Sequence, residues 1–500
     1  MHHSSGFNLL HNLPALQIAV PLLSATLVVL VRRARWAWAL TATVAWSAFI
    51  GAMFILHRVL HEGTISYTQG GWEPPWGIEL RIDLLNALVL LIVTGIAAVT
   101  IVTGPRSLVR EVPEKRHYLV YAAFLLCMTG LAGMTVTGDA FNIFVFLEIS
   151  SLSSYALVSQ GASRKALTSS IQYLVMGTIG GTFLLLGIGM IYMVTGTLNI
   201  VDMADKLAVV GANRTVLVAL ACILVGTSIK LAVFPLHIWL PNAYTYAPAM
   251  VTAFIAATST KVAFYVMTRF LYTVFGTQLA FGDIHLGWVL MPLALAAMFV
   301  GSLVAIWQTD IKRMLAYSSV AQIGYMVLGL SLVNVSGLTG GIVHLFNHAL
   351  MKSGLFLVMA AVLLRTGSTT LEAMRGLGRR MPVTMAAFVV GGLSLIGVPL
   401  TVGFVSKWYL VKGALEAGLW PVALLILLSS LLAVIYIWRV VEVAYFQSPP
   451  EDAPAIGEAP LSVLIPTWVL IGATIVFGIF TSLSAGTAGS AARMLLGAGS

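Results

Sequence analysis

The sequence predicts an all-α polytopic membrane protein of about fourteen transmembrane helices, and three observations carry that prediction. Only 9% of the 500 residues are charged and 59% are hydrophobic, for a mean hydropathy of +0.96. Soluble domains carry about 25% charged residues, so a water-soluble fold is excluded. Apolar runs of roughly 20 residues recur along the whole chain, each long enough to cross a ~30 Å hydrocarbon core as a helix. Lysine and arginine, finally, cluster in alternate connections between those runs.

The runs fall near 13–31, 36–56, 84–103, 117–136, 140–159, 171–194, 215–234, 248–275, 286–307, 314–334, 338–364, 383–411, 419–444 and 461–484. Basic groups follow odd-numbered spans: Arg32, Arg33 and Arg35, then Arg106, Arg110, Lys115 and Arg116, then Arg164 and Lys165. Lys312 and Arg313 follow span nine, and Arg365, Arg375, Arg379 and Arg380 follow span eleven. Connections after even spans carry mostly acids, such as Glu73, Glu79, Asp202, Asp205 and Asp283. The acidic segment with Glu451, Asp452 and Glu458 follows span thirteen and departs from this alternation, but acids count little in the rule. The odd connections are therefore expected in the cytoplasm and both termini outside. The formal net charge of +9 is a topology signal, with no nucleic-acid partner implied. The partner surface is the lipid bilayer.

The first span lacks a basic leader, so no cleavable signal is expected, and the opening MHHSSG is left out of fold reasoning. The longest polar interruption, 57–82, is rich in Gly, Pro and Trp and reads as an ordered external loop at headgroup level. The chain reads as one polytopic domain over 1–500. Span seven ends IKLAVFPLHIWLP and span twelve contains LSLIGVPLTVGFVSKWYL, each with a mid-membrane proline and a nearby lysine. Proline removes a backbone hydrogen bond and interrupts a helix, which is tolerated at membrane depth where the freed groups line a cavity. Matching interruptions point to internal repeats. Two five-helix halves, about 117–275 and 286–444, fit this echo.

The ionisable residues at membrane depth carry the functional reading. A lysine or aspartate at a helix centre costs about 2.5–3.5 kcal/mol on insertion scales, so several together need a shared explanation. Glu148 lies nine residues after Asp139, about 13 Å into its span at ~1.5 Å per residue, too deep to snorkel. Lys230 sits just before the break of span seven, with His237 between Pro235 and Pro241, and Lys261 is thirteen residues into span eight. His344, His348 and Lys352 recur at i, i+4 and i+8 on one helix face, and Lys407 follows the Pro399 break. This is the composition of a proton relay. A zinc site is disfavoured, because no glutamate follows His344 and no third ligand is nearby. Asp310, Lys312 and Arg313 at the start of span ten are either a gate or topology anchors. Arg439 and Glu442 in span thirteen either close the chain of charges or pair structurally. Cys127 and Cys222 read as packing residues, and no iron–sulfur, flavin or haem ligation pattern is present, so no cofactor is expected.

The segments GDAFNIFVFLEISSLSSYAL, FPLHIWLPNAYTYAP, DIKRMLAYSSVAQIGYM, HLFNHALMKSGLFL and RRMPVTMAAFVVGGLSLIGVPLTVGFVSKW resemble the signatures of the antiporter-like proton-translocating subunits. That family includes Mrp-type cation/proton antiporter subunits, the pumping subunits of respiratory complex I and the membrane arms of energy-converting hydrogenases. The resemblance covers residues 80–445 and implies fourteen helices, two inverted five-helix repeats and broken helices seven and twelve. It further implies that Glu148 and Lys230 form a charge pair, that Lys261 is the bridge, and that His348, Lys352 and Lys407 make the second half-channel. Asn242, Ala243 and Tyr244 depart from the Asp-Ala-His common in complex I members, and some of those carry glutamate where this chain has Lys407. No long amphipathic helix is expected after span fourteen, and the chain looks most like the D-type subunits of the Mrp antiporters. The resemblance thus implies exchange of protons for sodium or another monovalent cation within a multi-subunit complex of the bacterial inner membrane. The pumping subunit of an NADH:quinone oxidoreductase or hydrogenase, and a membrane partner in inorganic-carbon uptake, are the alternatives.

Overall fold

The computed structural model describes residues 9–449 and 456–498, so the opening MHHSSG and the acids Glu451 and Asp452 lie outside the described residues. Thirteen helices among the described residues are long and apolar enough to cross a membrane. The remaining crossing, span twelve, is made of two short helices, Pro382–Ile396 and Val402–Glu416. All fourteen expected spans are therefore present. In lipid every backbone polar group needs an internal partner, so a long apolar run has no alternative to a helix.

Span seven runs as Arg214–Leu231, opened by the Asn213 side chain accepting from the Val216 N–H at 2.9 Å. It stops at Ala232, whose φ of +62° cannot continue a right-handed helix, and resumes as Trp239–Tyr246. Span twelve stops at Gly397, φ +92°, where the missing Cβ permits the turn. Both breaks fall beside the prolines that predicted them.

A repeated clasp shows how the two halves are related. Asp139 caps span five, Ala140–Val158, through the Asn142 N–H at 2.7 Å, and Asp310 caps span ten, Ile311–Ser331, through the Arg313 N–H at 3.0 Å. Asp139 also bridges antiparallel to Asn199, and Asp310 to Thr370. The Ala140 N–H donates to Leu198 O at 2.8 Å and the Ile200 N–H to Gly138 O at 2.9 Å. The Ile311 N–H donates to Thr369 O at 2.8 Å and the Leu371 N–H to Thr309 O at 2.7 Å in the same pattern. Spans five and ten differ by an odd number of crossings, so the clasps lie on opposite membrane faces. The two halves are inverted.

The 57–82 segment holds more order than a loop. Ile65–Thr68 and Glu79–Ile82 pair as an antiparallel hairpin, with Ile65 opposite Ile82. Glu79 is buried, accepting from Asn199 Nδ2 at 2.8 Å, and its carbonyl accepts from the Gly138 N–H at 2.8 Å. The hairpin is thus fastened to the clasp of the first half. Beyond span fourteen, Leu461–Ile479, a ten-residue helix Thr487–Leu496 packs on spans three and eleven. Span eleven, Val335–Thr366, is central, packing against spans eight, ten, twelve and fourteen.

Candidate functional site

Lys230 closes the first half of span seven. Its Nζ donates to Ser151 Oγ at 2.7 Å and to Tyr155 Oη at 3.4 Å, and Glu148 Oε1 lies 3.8 Å away. Glu148, Ser151 and Tyr155 share one face of span five at spacings of three and four. The lysine is therefore held by hydroxyls within ion-pair reach of the carboxylate, whose Oε1 has no hydrogen bond among the described residues. Trp239 fixes the break by donating Nε1 to Ile229 O at 2.9 Å and stacking on Tyr173 at 4.1 Å.

Span six, Arg164–Thr195, makes room for this pair. A Cβ at Gly177 would lie 1.8 Å from Tyr155 Oη, and one at Gly181 would lie 2.3 Å from Glu148 Oε1. Gly181→Ala suits a helix better than glycine does, so the fold is expected to hold. The carboxylate end must move off Gly181, and an ångström of misplacement costs up to ~100-fold in a transfer step, so with Glu148 as a proton-transfer group about a 10-fold loss of proton transport is expected. Flux into vesicles at matched expression checks this, and an unchanged rate would show that the carboxylate's position is not critical.

Span eight begins as Ala249–Thr268 and carries Lys261, fully buried, donating to Ala256 O at 2.5 Å and to Thr260 Oγ1 at 3.3 Å. Because span eight packs along span eleven, Lys261 lies within electrostatic reach of His344, His348 and Lys352. The two histidine rings are parallel, 7° apart in plane and 6.0 Å between centroids. His344 Nδ1 bonds Ser406 Oγ at 2.8 Å, whereas neither nitrogen of His348 has a hydrogen bond among the described residues. Lys352 Nζ donates to Leu315 O at 2.7 Å and to the Ser318 hydroxyl. Lys407 donates to Ile396 O at 2.7 Å and Leu395 O at 3.2 Å, the free carbonyl end of the first half of span twelve, where a cation is favoured by the helix dipole. It also stands 4.9 Å above the Tyr325 ring, which lies 5.5 Å from that of His344. Lys261, at the end of the first half, and His348, His344, Tyr325 and Lys407 of the second thus form a buried polar file.

A family model described as NADH:quinone oxidoreductase/Mrp antiporter, transmembrane, matches residues 137–433, more than half of the chain. The chain belongs to this NADH:quinone oxidoreductase/Mrp antiporter family. It is similar to NADH-quinone oxidoreductase subunit N of Desulforudis audaxviator, 43% identical over 86% of this chain and 87% of that one. It is also similar to the D-type subunit of the Na(+)/H(+) antiporter of Bacillus subtilis, 29% identical over 97% of this chain and 98% of that one. Among solved structures, a chain of the Mrp complex from a Dietzia species superposes with a TM-score of 0.90, at 28% identity, over 98% of both chains.

Not every residue singled out in this member of the antiporter family joins the file. His237 lies in the break of span seven, half-buried and stacked on Phe234 at 5.3 Å. Asp310 is occupied by its cap and by the Thr369 hydroxyl at 2.6 Å. Lys312 donates to Ala247 O at 2.7 Å, tying span ten to the end of span seven. Arg439 donates to Ile306 O at 2.5 Å and Gln308 O at 3.1 Å, capping span nine, while Glu442 is exposed. Among the described residues Arg439 and Glu442 form no ion pair, so the structural-pair alternative is not what the fold uses.

Three further groups escaped sequence reasoning. Asp83 and Arg269 form a buried ion pair at 2.7 Å. Glu111 accepts from the Ala249 N–H at 2.9 Å, at the start of span eight and beside Lys312. Burial pushes the Glu111 carboxyl up, and the Lys312 charge and the Ala249 N–H pull it back. Each of these residues stands at a helix end or in a connection, where charge is ordinary in any membrane protein, so only tertiary contact gives them meaning.

Proposed function

We propose that the chain is the proton-translocating subunit of a multi-subunit monovalent cation/proton antiporter, with Na+ as the exchanged ion. The observation that carries the reading is the buried file itself. Glu148 and Lys230 face one another in the first half, Lys261 closes that half, and His348, His344 and Lys407 follow in the second. Groups that cost several kcal/mol to bury and serve no packing need mark an ion pathway. Lysine and histidine in such a file can exchange protons because burial and the charge of each neighbour together set which group holds the proton, and small movements shift that balance. On this reading residues 117–275 and 286–444 are the two half-channels, each entered at its helix break. Lys312 and Asp310 border a cavity of about 370 Å³ with Glu111 and Arg110, which serves as the cytoplasmic mouth between them. The positive-inside bias supports a cytoplasmic side for that mouth, an external 57–82 hairpin and residence in a bacterial inner membrane.

A second reading is favoured by one observation, the 43% identity to an NADH-quinone oxidoreductase subunit N. On that reading the same file is driven by electron transfer in other subunits. Inverted vesicles holding the intact complex separate the two. The antiporter reading expects an imposed pH gradient to collapse on adding Na+, with K+ as the comparison ion. A gradient that ignores both cations but builds with a quinone-linked electron donor would replace it with the redox reading.

A further inference from the structure

Beyond Lys261 the polar groups continue along one face of span eight, toward the Asp83–Arg269 pair. Lys261, Tyr265 and Arg269 recur every fourth residue on that face. Arg269 is eight residues beyond Lys261, about 12 Å at ~1.5 Å per residue, toward the membrane face that carries the hairpin. There the α-helix gives way to a π-helical stretch, Arg269–Val274, a widened turn of the kind frequent at functional sites. Arg269 Nη2 donates to Asp83 Oδ2 and to Asn86 Oδ1, each at 2.7 Å, and its guanidinium lies 5.5 Å from the Tyr265 ring centre. Asn86 Nδ2 donates to Tyr265 Oη at 2.8 Å. Asp83 meanwhile caps span three through the Leu85 N–H at 2.9 Å and the Asn86 N–H at 3.1 Å. A small cavity of about 30 Å³ adjoins these residues and is bordered by buried Thr137 and Gly138 and by half-buried Val201 and Thr273.

A helix cap needs no arginine, and a buried ion pair is weak evidence for stability because desolvation offsets its attraction. We infer that Asp83, Arg269, Asn86 and Tyr265 form the outward gate of the path through Lys261, an inference that rests on the proton-translocating reading above. Arg269 places a fixed positive charge across the exit, which repels a proton leaving Lys261. Asp83 cancels that charge, while Asn86 and Tyr265 hold the guanidinium in place beyond Lys261. The gate passes protons only while the pair is balanced, and it prevents free leak because the guanidinium does not deprotonate.

Three variants of the intact complex in sealed vesicles test this, beside Glu148→Gln as a control on the underlying reading. Asp83→Asn keeps the cap, since asparagine serves there as well as aspartate, but leaves Arg269 unbalanced. Coupled proton transport is expected to fall about 10-fold, with the complex assembled. Asp83→Asn with Arg269→Gln removes both charges, and passive proton leak is expected to rise several-fold over wild type. Adding Lys261→Ala to that pair should abolish the leak, since its protons come through Lys261. A pair with a merely structural role would not give a leak that depends on Lys261. Wild-type transport in Asp83→Asn, or a leak that survives Lys261→Ala, would overturn the gate. If Glu148→Gln also transports normally, the fault lies with the relay itself; if it is inactive, the gate alone is wrong.

Discussion

Replacing Lys230 by arginine is expected to abolish proton transport as fully as replacing it by alanine. Guanidinium keeps the charge and hydrogen-bonding capacity but does not release a proton inside a protein. The geometry makes this a sharp test. Lys230 Nζ is 2.7 Å from Ser151 Oγ and 3.8 Å from Glu148 Oε1, so it already sits between a neutral and a charged partner. Nearer the carboxylate, the ammonium form is favoured; nearer the hydroxyls alone, desolvation favours the neutral amine and the proton leaves. Glu148→Gln removes one side of that balance and Lys230→Ala the other. Proton transfer by a positioned group is worth about 100- to 10,000-fold, so each single variant should fall to near background. The double variant should be no worse than either single, because the two residues act as one unit. Normal transport by Lys230→Arg, measured in vesicles at matched expression, would make Lys230 a fixed charge and end the switch interpretation.

How much of this was legible in the sequence follows from what each residue depends on. Spans are legible because lipid leaves an apolar run of 20 residues no other structure, and the breaks because Pro235 and Pro399 stand where no helix tolerates them without compensation. The depth of Glu148 follows from helical rise alone. The hairpin was not legible, since its strands are four residues each and are held by Glu79, whose partner Asn199 lies 120 positions away. The same distance problem hid Asp83 and Arg269, which are separated by 186 residues. Spacing also over-reached. An imidazole beside a helix break reads as a relay group, but the ring of His237 stacks on Phe234, and Arg439 is taken up by the end of span nine.

His348→Ala and Lys407→Ala are each expected to cut proton transport by about 100-fold, in line with the loss of a positioned proton-transfer group, and they should differ in what else they cost. Neither ring nitrogen of His348 bonds to another described residue, so its removal leaves no orphaned partner, and losing an unsatisfied buried polar ring offsets the cavity it leaves. Its yield and thermal stability should therefore match wild type while the file between Lys261 and His344 is cut. Lys407 is different, because its ammonium satisfies Leu395 O and Ile396 O at the end of a half-helix inside the membrane. Leaving those carbonyls without the lysine costs about 1–3 kcal/mol, so Lys407→Ala should also lower the melting temperature of the purified complex by a few degrees. Insertion into the membrane should not suffer in either case, since both changes remove a group that is costly to insert. Proton flux and thermal unfolding measured on the same preparations separate the two effects. Full transport in both variants would reduce His348 and Lys407 to polar packing, and the second half-channel would have to run elsewhere.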